Sequence, residues 1–445
     1  MMRAITRARI QLDKSARKRT LATAVAVAGV AAMALSGCSN GGSGSASSAL
    51  TSHGPITIWY SNNAQEVTWG KAMVNDWNAA HPNEKITGQE VPAGKSTEEV
   101  IGAAITAGTT PCLVFNNLPA ATGQFQKQGG LVDLSKFPDA NQYITSRTGS
   151  SADQYKSPDG DFYQMPWKSN PVMIFYNKDI FKKAGLDPNN PKLSTYADFL
   201  AAAQKIKSSG AAKYAIYPSP TSEFFQPNFD FLPLYAAETN GTSLIKDNKA
   251  TIDSQAGMDV AQFWKTIYSE GLAGKEPVQD DVFASGEAAM AIVGPWAIPV
   301  YNKVNWGEVA VPTKDGTPAS QTYTFPDAKN IGMYTSCKNQ GTAWDVLKFA
   351  TSQDEDGKLL QTTGQMPLRN NLQSVYSDYF AQHPAYKDFA SQAARTVDDP
   401  TGPNTIAALQ DLRNFYTKAV ISGQGDLSSE LKQASDSITQ AWSAK

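Results

Sequence analysis

The chain has 445 residues, enough for two or three compact units, and its 41% apolar and 18% charged residues are typical of a globular protein with a buried core. This balance excludes a mostly disordered chain, a collagen-like fibre and a membrane protein with many spans. Lys and Arg number 39 against 41 Asp and Glu, so no strongly basic surface indicates nucleic-acid binding.

The first 37 residues have the pattern of a segment that directs export. Basic residues precede an uncharged apolar run from Leu21 to Leu35, which is shorter than the roughly 20 residues of a membrane-spanning helix. The run ends in Leu35-Ser36-Gly37-Cys38, which resembles the lipobox of bacterial lipoproteins, where the cysteine is acylated and becomes the first mature residue. We therefore expect a signal peptide over residues 1–37 and lipidation of Cys38. An ordinary signal peptide and an uncleaved anchor are the alternatives.

A mature chain that begins at Cys38 has 32 basic and 40 acidic residues and a net charge of −8. This acidic balance fits an exported body better than a protein that binds nucleic acid or an anionic membrane. Residues 39–53 are mostly Gly, Ser, Ala and Asn, with too little apolar surface to offset the entropy lost on ordering. We predict that residues 38–54 form a flexible tether and that acyl chains hold the protein at the membrane.

Strands and helices alternate along the rest of the chain. The first part predicts strand, helix, strand, helix and strand at Ile56–Tyr60, Gln65–Asn78, Lys85–Val91, Ser96–Gly108 and Cys112–Phe115. Further strands are predicted at Val172–Tyr176, Ala215–Tyr217 and Ala289–Val293. Further helices are predicted at Tyr196–Ile206, from a cap at Asp253 to before Gly271, and at Ala343–Phe349, Lys358–Gln361 and Ile406–Val420. Such alternation indicates an α/β fold in which helices flank a sheet.

Four tryptophans occupy apolar helix faces at a spacing of three or four residues, and we predict that all four lie in the core: Trp69, Trp77, Trp264 and Trp344.

Several motifs in a fixed order resemble one protein family. They are Trp77-Asn78-Ala79-Ala80-His81-Pro82, Gly129-Gly130-Leu131-Val132-Asp133-Leu134, Phe175-Tyr176-Asn177-Lys178-Asp179, Phe283-Ala284-Ser285-Gly286-Glu287, Gly294-Pro295-Trp296 and Met366-Pro367-Leu368-Arg369. Together they resemble the solute-binding lipoproteins of bacterial ABC importers, the family that includes maltose-binding and other oligosaccharide-binding proteins. The resemblance covers nearly the whole mature chain. It implies a two-lobed, periplasmic-binding-protein-like type II fold, with lobe I over residues 55–168 and 331–367 and lobe II over residues 169–330 and 368–445.

The resemblance implies a receptor that closes on a small oligosaccharide and delivers it to the permease subunits of an ABC importer. We expect a monomer on the outer face of the cell membrane, held by its lipid anchor, with no cofactor, no enzymatic activity and no nucleic-acid partner. A receptor for glycerol-3-phosphate, or for a phosphodiester of it, is the variant that a cleft rich in Arg and Lys would favour. A secreted glycoside hydrolase and a surface adhesin or scaffold are the remaining alternatives.

Aromatic side chains suit the apolar faces of a sugar ring. Trp296 follows a predicted strand through Gly294 and Pro295, which places it at the strand's carboxyl end, where open α/β sheets bind ligands. In similar oligosaccharide-binding proteins the tryptophan of this motif stacks on a sugar. Trp167 is the second candidate, with packing at the hinge as the alternative. Phe225 belongs to a cluster of four phenylalanines, for each of which core packing is the alternative.

Polar side chains that suit the hydroxyl rim of a sugar follow the first and third strands and the motif at 366–369. The candidates are Asn62, Gln65, Glu66, Asn116, Asn117 and Arg369. Capping of the following helix is the alternative for the first three. Pairing with a structural carboxylate is the alternative for Arg369.

The remaining reactive residues are few. The family that this chain resembles usually has an acidic residue after the proline at position 111, whereas this chain has Cys112. An exported compartment permits a disulfide between Cys112 and Cys337, and two separate buried thiols are the alternative. We predict that His53 lies in the tether and that His81 and His383, each followed by Pro, mark the surface ends of elements. No spacing of His, Cys and carboxylates indicates a metal site.

Overall fold

The computed structural model describes residues 48–61, 63–94, 96–218, 220–278 and 280–444. The strands are β1 Ile56–Tyr60, β2 Ile86–Glu90, β3 Leu113–Asn117, β4 Gln164–Lys168, β5 Met173–Asn177, β6 Tyr214–Ile216, β7 Ile245–Lys246, β8 Lys249–Ala250, β9 Ala288–Val293, β10 Trp306–Val309 and β11 Lys329–Met333. The predicted signal peptide and Cys38 lie outside the described residues.

The helices of the body fall between these strands and after the last of them. They are α1 Ala64–Ala80, α2 Thr97–Ala107, α3 Thr122–Lys127, α4 Ala140–Thr148, α5 Lys178–Lys183, α6 Tyr196–Ser208, α7 Phe231–Glu238, α8 Gln255–Ser269, α9 Gln340–Ala350, α10 Gln353–Thr363, α11 Leu372–Val375, α12 Ser377–Gln382, α13 Lys387–Gln392, α14 Thr405–Phe415 and α15 Leu427–Ser443. A π-helical segment, Tyr416–Ile421, continues α14.

Two separate sheets organise the body. A five-stranded sheet has the order β2-β1-β3-β11-β4, in which β1, β2 and β3 run parallel and β11 runs antiparallel to β3 and β4. A four-stranded sheet has the order β10-β5-β9-β6. Strand β11 begins two residues before the boundary predicted between 330 and 331, because Lys329 and Asn330 already pair with β4. The division of the chain into two lobes at the predicted boundaries remains a prediction.

Local sequence explains where several helices begin and end. The side chain of Asn63 accepts hydrogen bonds from the first turn of α1, and the side chain of Ser96 accepts one from Glu99 at the start of α2. Gly108 ends α2 in the left-handed conformation that glycine adopts without strain, with φ at 66°. The cap of α8 is Ser254, so the prediction of Asp253 was wrong by one residue.

Each sheet has its own apolar core, and the prediction that four tryptophans are buried is confirmed. Trp69, Trp77 and Trp344 lie with strands of the five-stranded sheet, and Trp264 lies with strands of the four-stranded sheet. Their side chains are at most 4% exposed. Large buried aromatic surfaces of this kind contribute much of the favourable free energy of folding.

Cys112 and Cys337 form a disulfide that joins the start of β3 to the segment before α9. The bridge closes a separation of 225 residues along the sequence. It therefore restrains the unfolded chain over a very long loop.

The last part of the predicted tether differs from the prediction, because it is hydrogen-bonded to the body. Gly341 donates its backbone N–H to the carbonyl oxygen of Ser52 at 3.0 Å, and Gly54 donates to the hydroxyl of Thr342 at 3.0 Å. The N–H of Gly341 and the hydroxyl of Thr342, both at the start of α9, thus supply partners that the sequence of the segment does not show. Within the described residues, no helix is both long enough and apolar enough to cross a membrane.

Candidate functional site

The carboxyl ends of β1 and β3 lie at one edge of the five-stranded sheet, since these strands are parallel. Strand β11 starts at the same edge, because Asn330 pairs with Asn117 in antiparallel register. The sequence predicts that the polar candidates after β1 and β3 lie at this edge. Asn62 lies outside the described residues, and the half-buried Gln65 lies in the first turn of α1, where its backbone N–H donates to Asn63.

Asn116 and Asn117 end β3 but have different surroundings. Asn116 adopts a left-handed conformation with φ at 69°, which asparagine tolerates better than most residues, and its buried Oδ1 has no hydrogen-bond partner among the described residues. Asn117 is fully buried and donates to the carbonyl oxygen of Val114 at 3.1 Å. Asn117 Oδ1 also has no partner among the described residues, but Asn117 is fully buried, whereas Asn116 is half-buried and offers its acceptor to a ligand.

Glu66 forms a buried ion pair rather than capping its helix. Lys168 donates to Glu66 Oε1 at 2.6 Å, and Gln365 donates to the same oxygen at 2.6 Å. Burial alone would raise the pKa of Glu66, but the charge and hydrogen bond of Lys168 lower it below its usual value. Asn170 extends this network by donating to Gln365 at 3.2 Å. These contacts tie β4 and the first turn of α1 to the segment after α10.

A second polar group, which we call the acidic cluster, comprises Glu98, Asp327, Lys329, Asp398 and Asp399. Lys329 donates to Asp327, and although burial opposes its charge, the carboxylates of Asp327, Asp398 and Glu98 raise the pKa of Lys329. Burial and the neighbouring carboxylate of Asp399 raise the pKa of Asp398 to about 8. Burial raises the pKa of Asp399 to about 7. One ammonium group thus faces four carboxyl groups.

The acidic cluster continues into an aromatic pair, Phe229 and Trp296. Asn228 donates to Asp399 Oδ2 at 2.8 Å, and the next residue, Phe229, meets Trp296 edge to face with ring centroids 6.1 Å apart. Trp296 is half-buried and lies in a 3₁₀ turn after β9, as expected from the sequence. Asn228 Oδ1 and Asp399 Oδ1 are buried acceptors without a hydrogen-bond partner among the described residues.

Trp167 lies in the core of the five-stranded sheet. Its side chain is 1% exposed, and its ring centroid is 5.3 Å from those of Trp69 and Phe115. No face of the ring is open to a solute in this arrangement, which matches the packing alternative. Phe225 is half-buried and meets Phe224 edge to face at 5.4 Å beside the core of the four-stranded sheet.

Arg369 pairs with a structural carboxylate. Its Nε donates to Asp356 Oδ2 at 2.9 Å, and its Nη2 donates to the carbonyl oxygen of Thr351 at 2.9 Å. Arg147 donates to both oxygens of the same Asp356. The prediction that Arg369 contacts ligand has no support from these contacts. A cavity of about 390 Å³ beside Arg369 is lined by hydroxyl and amide side chains that include Ser150, and Trp296 is not among its lining residues.

Histidine and thiol chemistry are absent from the acidic cluster. His81 stacks on Trp77 with ring centroids 3.7 Å apart, His383 lies against Tyr379 at 4.5 Å, and His53 lies before β1. Both described cysteines are in the disulfide. The carboxyl groups, the free acceptors and the aromatic pair can bind a polyhydroxylated solute, because hydroxyls supply donors and ring C–H faces suit aromatic side chains.

Sequence reasoning missed the acidic cluster and Asn228. The only pattern that could have pointed to it is the pair Asp398-Asp399 next to Pro400, ahead of the predicted helix that begins at Ile406. Lys329 and Asp327 lie in a segment without an apolar run.

Comparison with known proteins gives consistent results. Residues 61–356 match the model of a family described as bacterial extracellular solute-binding protein. A binding protein of Brucella abortus (strain 2308) is 26% identical over 62% of this chain and 67% of its own length. The sn-glycerol-3-phosphate-binding periplasmic protein of Brucella melitensis is 24% identical over 87% of this chain and 95% of its own length.

A solved structure supports the same fold. The cyclic α-maltosyl-1,6-maltose binding protein of Arthrobacter globiformis superposes with a TM-score of 0.74 at 18% identity, covering 88% of this chain and 99% of that one. At this identity the likeness establishes the fold and leaves the ligand open.

Proposed function

Because the chain belongs to the bacterial extracellular solute-binding protein family and has its two-lobed α/β fold, we propose that it is the receptor of an ABC importer and that its ligand is a small neutral oligosaccharide. The proposed binding site comprises the aromatic pair, the acidic cluster, Asn116 and Asn228. The relatives and the superposed structure are named for both glycerol phosphate and oligosaccharide ligands, so the choice between them rests on the chemistry of the site.

The pairing of the cations at the site supports a neutral ligand. The Lys329 ammonium group already donates to Asp327, and the Lys168 ammonium group, which also interacts with Asp327, already donates to Glu66. A phosphate group would find no unpaired Arg or Lys among these residues, and it would bring further acceptors beside Asn116 Oδ1, Asn228 Oδ1 and Asp399 Oδ1, which already lack donors. Binding proteins for phosphate usually supply Arg or Lys donors instead.

The acceptors of the site support a ligand rich in hydroxyl groups. Asn116 Oδ1, Asn228 Oδ1 and Asp399 Oδ1 are buried and have no donor among the described residues. A buried polar atom left without a partner costs about 1–3 kcal/mol, so a ligand that donates to it gains affinity. Saccharide hydroxyls are such donors, and Trp296 with Phe229 offers apolar ring surface beside them. This combination is the observation that carries the proposal.

A thermal-shift and calorimetric panel tests the choice of ligand. Neutral oligosaccharides of two to four sugar units are compared with sn-glycerol-3-phosphate at pH 7 and low salt. At least one saccharide should raise the melting temperature by mass action, and glycerol-3-phosphate should not. Stabilisation by glycerol-3-phosphate alone would identify a glycerol-3-phosphate receptor and contradict an oligosaccharide receptor. Slow release of shorter sugars, without any shift, would favour a glycoside hydrolase.

The cellular placement completes the proposal. We infer acylation at Cys38 and attachment to the outer face of the cell membrane, because Leu35-Ser36-Gly37-Cys38 follows a short apolar run. We also infer that the receptor is a monomer and that permease subunits on other chains are its partners, as its family suggests. Replacing the lipid-accepting thiol in Cys38→Ala should release the protein from membranes into the medium. Retention of the variant on membranes would contradict the anchor.

A further inference from the structure

One histidine and two carboxylates from three separate segments meet at the opposite edge of the five-stranded sheet. His53 precedes β1, Glu84 precedes β2 and Asp345 lies in α9. Both parallel strands start at this edge, so the group lies away from the strand ends that carry Asn116 and the acidic cluster. The proposed binding of a saccharide makes no use of these three residues.

The three side chains place one donor atom each within reach of a single ion. His53 Nδ1 is 3.4 Å from Glu84 Oε2 and 3.9 Å from Asp345 Oδ2, and the three atoms all lie within 4.8 Å of one another. Ligands about 2.0–2.2 Å from a tetrahedral metal ion stand roughly 3.3–3.6 Å apart. Small rotations of these partly exposed side chains would bring all three donors to that spacing.

The backbone around His53 is fixed by hydrogen bonds to the start of α9. Gly341 donates to the carbonyl oxygen of Ser52 at 3.0 Å, and Gly54 donates to Thr342 Oγ1 at 3.0 Å. Asn339 Nδ2 donates to the carbonyl oxygen of Pro55 at 2.9 Å. His53 therefore projects from a segment that is anchored on both sides, which reduces the entropy lost when its imidazole binds an ion.

Both carboxylates are oriented by further contacts. Thr342 Oγ1 donates to Glu84 Oε2 at 3.2 Å, and Trp77 Nε1 donates to the carbonyl oxygen of Glu84 at 2.7 Å. Lys348 Nζ is 3.3 Å from Asp345 Oδ1, which leaves Oδ2 directed at His53. Partners of this kind hold metal ligands in position and commonly contribute about 10–100-fold in metal affinity.

We propose that His53, Glu84 and Asp345 form a binding site for a divalent transition-metal ion such as Zn²⁺, with water in the remaining position. An imidazole with two carboxylates suits zinc and its neighbours, whereas magnesium and calcium prefer oxygen ligands alone. The bound ion would fasten the segment before β1 to α9 and to the turn before β2. The predicted tether would then leave the body from a fixed point.

Calorimetric titration of the chelator-treated protein with ZnCl₂ at pH 7.5 tests the site. One Zn²⁺ should bind per chain, and CaCl₂ or MgCl₂ should give no comparable heat. His53→Ala should weaken Zn²⁺ binding by about a hundredfold or more, and Glu84→Gln and Asp345→Asn by about tenfold or more each. His383→Ala is the matched control, because His383 is an exposed histidine that lies against Tyr379 and should leave the affinity unchanged.

Thermal unfolding separates ligand loss from misfolding. With EDTA present, the His53→Ala and wild-type proteins should unfold at nearly the same temperature, and Zn²⁺ should stabilise the wild type alone. Absence of a Zn²⁺ heat in the wild type would overturn the site. Equal Zn²⁺ affinity in wild type and His53→Ala would also overturn it, because the ion would then bind elsewhere. In that case His53 only forms a charge-assisted hydrogen bond with Glu84.

Discussion

Gly123 and Gly402 meet backbone to backbone, so closely that a Cβ on Gly123 would lie 2.0 Å from the carbonyl oxygen of Gly402. Gly123 lies in α3, which follows β3 of the five-stranded sheet, and Gly402 follows the two aspartates of the acidic cluster. A Cβ on Gly402 would in turn lie 2.3 Å from the ring of Trp442. A side chain on Gly123 would therefore clash with the backbone of Gly402, and a side chain on Gly402 would clash with Trp442.

Gly123→Ala tests whether this contact belongs to the ligand-bound state. The added methyl group should hold α3 away from the segment before α14 and weaken saccharide binding by about tenfold or more, equivalent to about 1.4 kcal/mol. If the contact forms only in the ligand-bound state, the stability of the ligand-free protein should change little, because alanine favours a helix more than glycine does. Calorimetric titration with the saccharide found in the ligand panel measures the affinity, and a melting curve of the ligand-free protein measures the stability.

Gly102→Ala is the matched control for that substitution. Gly102 also lies in a helix, α2, but a Cβ there would be 3.9 Å from its nearest neighbour, which is an ordinary contact. Its saccharide affinity should equal that of the wild type. Equal affinity of the Gly123→Ala protein would show that the two glycines need not touch when ligand is bound.

Trp296→Ala should weaken saccharide binding by more than about tenfold, because the indole supplies apolar surface for a sugar ring. The ligand-free protein should lose about 2 kcal/mol or less, because Trp296 is only half-buried. Trp306→Ala is the control. Trp306, on β10, is also half-buried, and its ring centroid lies 4.7 Å from that of Phe175. That variant should lose stability and keep its affinity. The reverse pattern would assign Trp296 to the core.

Stability should fall as pH rises through the range in which the acidic cluster ionises. The pKa of Asp398 is raised to about 8 and that of Asp399 to about 7, so the folded protein holds protons that the unfolded chain releases near pH 4. Their contribution is complete below pH 4 and is lost between pH 4 and about pH 8. Between pH 6 and pH 9 the free energy of unfolding should drop by on the order of 4 kcal/mol, because Asp398 releases its proton over about two pH units of this interval and Asp399 over about one.

Denaturant unfolding at several pH values measures this dependence. Asp398→Asn keeps the shape of the side chain and removes one titrating group, so it should flatten the profile. A wild-type profile that is flat or rises over this range would mean that both carboxyl groups are ionised in the folded protein at neutral pH.

Arg369→Ala should lower stability and leave ligand affinity unchanged. Arg369 pairs with the fully buried Asp356, and loss of one partner of such a pair typically costs about 3–5 kcal/mol. Because Arg147 still pairs with Asp356, we expect a loss at the lower end of that range. Lys432→Met, which removes an exposed pair with Asp436, should cost about 1 kcal/mol or less. A large loss of saccharide affinity in Arg369→Ala would restore Arg369 as a ligand contact.

Elements with strong local patterns could be predicted from the sequence, whereas elements formed by distant pairing could not. The apolar run at Cys112–Phe115 indicated β3, and the spacing of Trp69 and Trp77 indicated the buried face of α1. Strand β11 has the sequence Lys-Asn-Ile-Gly-Met, which lacks an apolar run. It becomes a strand because β3 and β4 lie on either side of it.

In the candidate site, too, residues in a local motif could be predicted, whereas residues from distant segments could not. Trp296 could be placed at a strand end from the local Gly-Pro-Trp motif. Lys329 and Asp399 are separated from the aromatic pair by long stretches of chain, and only the fold brings them together with Asn228. For Arg369 the sequence left two roles open, and the position of Asp356 favours the structural one.

Small-angle X-ray scattering with and without a saturating amount of the cognate saccharide measures whether the protein closes on its ligand. We expect the radius of gyration to fall when the saccharide is added to the wild type, and to fall less in Gly123→Ala. Identical scattering profiles for the free and saturated wild-type protein would contradict a receptor that closes on its solute.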